Sequence, residues 1–248
     1  MLLILPPSET KRDGGAEGSR LDLSSLSFPS LTPQRTSTVK ALAALSRDQR
    51  LATGALSLGP TQRHELARNR VLTSSPVLPA IERYTGVLYD GLDAAALSEK
   101  ERRFAASHVV IHSALFGLLG ADDLVPAYRL SHNSRLPGLS LGRHWRSGVS
   151  AELAAHSGLV IDARSEAYAA LGPAPRSENS AYLRVVTAGE SGRRVALSHF
   201  NKKAKGLFAR AVVSAGIDHG SIGSLLDWAG AAGIQLERGA DGELDLVV

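Results

Sequence analysis

Three lysines, Lys202, Lys203 and Lys205, fall within four residues of the stretch SHFNKKAKG, between a strand-like apolar run and a helix-like one. With Asn201 as cap, all three lie in the first turn of a helix, where the backbone dipole is already positive and lysine is locally unfavourable. Free backbone N–H groups and ammonium groups together make an anion site. A charge pattern that opposes its own helix is expected where function overrides local preference, although a solvated turn with screened charges has the same letters. Upstream, VIDARSEAY reads as a buried strand ending in Asp162, with Ser165, Glu166 and Tyr168 following on a turn or short helix. An acid such as Glu166 beside the lysines can transfer a proton if its pKa is tuned; Ser165 can equally be a plain helix cap. Tyr128 and Arg129 in AYRL offer a phenol and a two-pronged anion grip, and pairing of Arg129 with Asp122 or Asp123 is the structural alternative.

Two further patterns belong to the stretch 108–124. SALFGLLGADDL has the hydrophobic-Gly-x-x-Gly pattern of a hairpin between two helices, broken at Gly117, and resembles a helix-hairpin-helix module. In that module hairpin N–H groups touch a DNA phosphate without reading sequence; a glycine helix cap explains the letters as well. His108 and His112 are spaced i,i+4 on the expected helix, which could bind a metal, but no third ligand is near in sequence and no metal is assigned. The sequence has no Walker loop, GxSxG elbow or dinucleotide fingerprint, so no cofactor is expected.

The 248 residues suit one large domain or two small ones, with ample length for a well-buried core. The charge of +4, from 28 basic and 24 acidic residues, permits nucleic-acid binding without requiring it. The absence of cysteine excludes disulfides, zinc thiolates and thiol nucleophiles. With one methionine, the chain has little to oxidise; coding bias explains the same composition. MLLILPPSE has no basic n-region, and no apolar run approaches a membrane span. The expectation is a cytoplasmic protein with no membrane partner and with its oligomeric state open.

The elements that position these residues read as follows. LLIL is a short buried strand running into a glycine-rich loop. Helical patterns follow at 36–52 and 61–71, and one begins at Pro79. Ser98 and Glu101 form a capping box before an amphipathic helix through 108–112, and 139–156 is a further helix. GLVIDA is a strand, 181–200 a hairpin, and the lysines open a helix to about Ala215. Ser221 caps another helix, and a hairpin turning at Asp241-Gly242 closes the chain. The reading is one α+β domain over 1–248, helical in its first two-thirds and strand-rich after.

LLILPPSETK, YDGL, SALFGLLGADDLVPAYRL, HW, SEAY and HFNKKAKG, in that order, resemble the YaaA family of peroxide stress response proteins across nearly the whole chain. The resemblance implies a cantaloupe-like α+β fold with a mixed sheet, a positively charged cleft and DNA binding through a helix-hairpin-helix element, in a protein that limits damage by peroxide and iron. It implies a cleft lined by Lys11, Tyr128, Arg129, Ser165, Tyr168, Lys202, Lys203 and Lys205. HSALFG and GADD depart from the family's hairpin: an arginine is lost and Asp122 gained, which weakens a phosphate grip. The second reading is therefore an enzyme on a small nucleotide-like or acyl-phosphate-like anion. There the lysines, Lys202 among them, hold the anion, Glu166 is acid/base, Tyr128 or Tyr168 positions the substrate, and the loop 12–20 acts as a lid.

Overall fold

LLIL forms β1 (Leu2–Leu5), buried along its whole length. A strand apolar on both faces belongs at the centre of a parallel sheet, and β1 lies there, between β3 (Val109–Ser113) and β6 (Val160–Asp162), parallel to both. The computed structural model describes residues 1–188, 194–196 and 201–248.

Between β1 and β3 the chain forms α1 (Thr32–Leu45), α2 (Gln49–Ala55), α3 (Glu65–Arg70), the short β2 (Leu78–Pro79), α4 (Ala80–Arg83), α5 (Val87–Leu92) and α6 (Glu99–His108). After β3 come β4 (Gly117–Gly120), β5 (Leu124–Val125), α7 (Leu141–Ala155), β6 and α8 (Glu166–Ala169). The last third carries β7 (Ser180–Ala188), β8 (Arg194–Ala196), α9 (Asn201–Ala215), α10 (Ile222–Ala231), β9 (Leu236–Arg238) and β10 (Glu243–Val247). The sheet order is β4-β3-β1-β6-β7-β10-β9, with β8 on β7. Its interior strands β3, β1, β6, β7 and β10 run parallel, while β4, β8 and β9 pair antiparallel.

The fold is thus a single domain of mixed α/β type around a mixed sheet. Strands and helices are interleaved, so the expected division into a helical front and a strand-rich end is corrected. Parallel neighbours need crossovers, and helices supply them. The capping box forms as read: the Glu101 carboxylate accepts from the Ser98 N–H at 2.7 Å and Ser98 Oγ from the Glu101 N–H at 3.4 Å. The helix it starts ends at His108, because the β-branched run that follows, VVI, prefers the sheet. Antiparallel pairing from Val110↔Gly120 to Ser113↔Gly117 then makes a β-hairpin of the segment read as helix-hairpin-helix. Gly117 turns that hairpin with φ +68°, and a Cβ there would sit 2.8 Å from the Trp145 ring. No helix among the described residues is long and apolar enough to cross a membrane.

Candidate functional site

In open sheets with parallel strands, ligands bind outside the carboxyl ends of the strands, at the point where the strand order reverses. Here β1 connects onward to β3 on one side, and the chain later returns as β6 on the other. The residues at or just past the ends of β1, β3 and β6 are Pro6–Lys11, Ser113 and Ala163–Glu166, and of the expected site residues they hold Lys11, Ser165 and Glu166.

Lys11 is bridged in antiparallel fashion to Tyr84 and is 6% exposed. Its Nζ donates to the carbonyls of Ser8 at 3.0 Å and Glu9 at 3.2 Å, and lies 4.1 Å from the Tyr128 ring centroid. Burial, and next the Arg129 charge, bring its pKa down to about 7. Tyr128 OH bonds Tyr84 OH and Ser113 Oγ, each at 2.7 Å, and Ser113 Oγ accepts the N–H groups of Leu115 and Phe116. Burial pushes the Tyr84 phenol up to about 12 and the Tyr128 and Tyr168 phenols well up. Arg129 Nη2 donates to Glu9 Oε2 at 2.7 Å, while Asn69 holds the Arg129 backbone on both sides. Tyr89 OH donates to the Pro6 carbonyl, which fixes the start of the loop.

The loop itself is pinned from below. Arg83, fully buried, donates to the carbonyls of Val125, Arg12, Gly14 and Pro76. Burial lowers its pKa to about 10. The N–H groups of Arg12 and Ala16 donate to Arg83 and Val77 carbonyls, and a Cβ on Gly15 would meet the Val77 carbonyl at 2.6 Å. The part of the loop from 12 to 16, expected to belong to a lid, is tied down.

At the end of β6, Asp162 and Arg164 form a bidentate pair at 2.8 and 2.6 Å. Arg164 Nη1 also donates to His112 Nδ1 at 2.7 Å; burial, then that guanidinium, holds the His112 imidazole well below its usual pKa. The Arg164 carbonyl accepts from Lys205 Nζ at 3.1 Å and Tyr182 OH at 2.9 Å. Burial brings Lys205 down to about 8, opposed by Asp162 and Glu166. Asp162, Glu166 and Tyr182 open onto a groove of about 1360 Å³ whose outer wall includes Arg176, Arg238 and Asp241. The Tyr168 ring packs edge-on against His112 at 6.0 Å and His132 at 5.2 Å, joining the two halves of the site.

Lys11, Tyr128 and Arg129 therefore come together, with Tyr168 beside them. Lys205, Ser165 and Glu166 gather at β6, Ser165 as the cap of α8 through its bond from the Tyr168 N–H. Lys202 and Lys203 lie on α9 but are exposed. Gly117 is buried under Trp145, so its backbone cannot meet a phosphate. Asp123 binds Ser27 and Gly120 rather than Arg129. His108 and His112 sit on a helix and a strand, which removes the shared face that the spacing argument needed; His108 stacks on Phe104 and faces Asp218 at 3.6 Å. Among the described residues no cluster of three His, Asp or Glu is placed to hold a metal. Sequence reasoning passed over Glu9, Tyr84, Ser113 and Arg164. PSETK and DARSE, at the ends of apolar runs, are the signal that could have found the first and last of these.

A family model described as peroxide stress protein YaaA matches residues 1–232. A UPF0246 protein of Corynebacterium glutamicum (strain R) is 42% identical over 243 residues, 96% of this chain and 95% of its own. One from Corynebacterium efficiens is 40% identical over 255 aligned positions spanning all of both chains. One from Streptomyces coelicolor is 41% identical over 220 residues, 87% of this chain and 84% of that one. Built on this arrangement and matched over nearly its full length, the chain belongs to the peroxide stress protein YaaA family.

Proposed function

We propose that this protein serves its oxidative-stress role by holding a small anionic ligand at the carboxyl ends of β1, β3 and β6, and by acting on it there. Family membership supports the general oxidative-stress role. The observation that carries the finer reading is burial: Lys11, Arg129 and Lys205 are 6%, 7% and 4% exposed. Duplex phosphates lie on the outside of a stiff rod and need cations that stand out from a surface. Cations sunk behind strand ends suit a ligand small enough to enter. In this reading Arg129 grips the anion, Lys205 sets the charge at the β6 end, and Glu166, on the groove wall, is the acid/base group. Tyr128 or Tyr168 positions the ligand.

DNA binding is the second reading. It is favoured by the exposed ammonium groups of Lys202 and Lys203 in the first turn of α9, and it does not need the helix-hairpin-helix element. Titrations with inorganic phosphate, a nucleoside monophosphate and labelled duplex DNA across a salt series separate the two. The small-anion reading expects saturable nucleotide binding that Arg129→Ala removes and that a Lys202→Ala, Lys203→Ala pair leaves nearly intact. Tight DNA binding that falls steeply with salt and is lost in the lysine pair would replace it.

A further inference from the structure

We propose that Lys11 is a nucleophile: its Nζ attacks the carbonyl carbon of an aldehyde or ketone whose anionic group is held on Arg129, and forms an imine. The inference rests on the small-anion reading and names the substrate class for it. Glu9 supplies the first argument. Its carboxylate occupies Arg129 Nη2 at 2.7 Å, yet its side chain is 58% exposed, so it can leave and a ligand carboxylate or phosphate can take its place. Lys11 lies two residues on, and among the described residues no carboxylate is within ion-pair distance of it, so nothing but carbonyls and ring faces holds its Nζ.

Chemistry supplies the second argument. An amine buried among Tyr84, Tyr128 and the Arg129 guanidinium is discharged near neutrality, the way enzymes make lysine a nucleophile. Tyr84 and Tyr128 ring faces favour the ammonium form, but burial outweighs them. The charges facing Nζ are Arg129, Arg68, Glu65 and Glu9. About half of such an amine is neutral at pH 7, against roughly one part in 2,500 of an ordinary lysine. The Nζ lone pair forms the C–N bond. The carbonyl oxygen takes one proton from the amine and one from solvent and leaves as water. The protonated imine keeps one N–H, enough to retain the bond to either the Ser8 or the Glu9 carbonyl.

The test uses pyridoxal 5′-phosphate, an anionic aldehyde, followed by borohydride and peptide mapping. The full chain and its Lys11→Arg and Arg129→Ala variants are compared, each checked for native circular dichroism. The expected result is one reduced adduct, on Lys11, at least about tenfold above that on Lys202 or Lys203, with a rate rising through about pH 7. Inorganic phosphate suppresses it. Lys11→Arg keeps phosphate-competed binding of the probe and loses the adduct. Phosphate-competed binding with adducts spread over the exposed lysines overturns the Lys11 proposal and leaves the anion site standing. An adduct on Lys11 that neither phosphate nor Arg129→Ala reduces overturns the anion site, and with it the ligand class. Absence of any phosphate-competed binding overturns both.

Discussion

Tyr128 ties the site together through one hydroxyl. That group lies between Tyr84 OH and Ser113 Oγ at 2.7 Å on both sides, all three residues are buried, and Ser113 in turn orders the turn at Leu115 and Phe116. Replacing it by hydrogen leaves two buried hydroxyls short of a partner. Tyr128→Phe is expected to cost about 1–3 kcal/mol in chemical denaturation, with the ring's contact to Lys11 preserved. Glu9→Gln works the other way: removing the carboxylate that competes for Arg129 is expected to tighten phosphate binding several-fold by calorimetry, and unchanged affinity would show that Glu9 does not stand in a ligand's place. Tyr128 and Arg129 were legible in the sequence because a phenol beside a guanidinium after a proline is unusual chemistry. Tyr84 and Ser113 were not, since their role exists only once β3 and α4 bring them to the same point. Lys11 drew attention through resemblance alone; nothing in PSETK reveals that the folded chain closes over its ammonium group.

At the scale of elements, α5 and α9 cross where two glycines meet. Gly91 and Gly206 let the backbones touch, and a Cβ on Gly206 would fall 2.1 Å from the Leu88 carbonyl oxygen. Backbone cannot yield as a side-chain tip can, so Gly206→Ala forces the helices apart. A loss of about 3 kcal/mol or more in stability is expected, with Lys205 displaced from the Arg164 carbonyl and its pKa raised towards an ordinary lysine's; a melting temperature within a few degrees of the parent's would contradict this. NKKAKG was read for its charges, but its glycine is what sets the helix against its neighbour. Elements with local signals were the readable ones: the Ser98 capping box, the Ser221 cap and the last hairpin at Gly242 all form. The error at 109–120 arose because VVIHSALFGLLG is apolar at nearly every position, so periodicity cannot separate a buried helix from two buried strands. The β-branched VVI was the available clue. The turn of the 181–200 hairpin lies outside the described residues, while the pairing of β7 with β8 on either side of it is seen.

At the scale of the molecule, the site is built at a cost that pH can reveal. LLIL was legible as a short buried strand, but its place in the sheet and the strands that flank it are set by crossovers that no local pattern encodes, and the charge burial follows from that topology. Lys11 and Lys205 titrate near 7 and 8 when folded, against an ordinary value of 10.5. Between those values and 10.5 the unfolded chain binds more protons than the folded one, so folding stability rises with pH across that window. Below about 7 the two lysines are charged in both states and the penalty is fully present. The opposite sign holds for the buried phenols: Tyr84 is raised to about 12, and Tyr89, Tyr128 and Tyr168 are raised as well, so stability falls once unfolded tyrosines ionise above about 10. His112, held neutral, adds a loss only below its unperturbed value of 6.5. The denaturation midpoint is therefore expected to climb from pH 7 to about 9.5 and then to decline. In Lys11→Met, which removes the charge facing Arg129, Arg68, Glu65 and Glu9, the protein is expected to be more stable at pH 7. Its climb flattens to the share left by Lys205. An equal climb in parent and variant would mean that the Lys11 ammonium is solvated in the folded chain, and the electrostatic account of the site would fall with it.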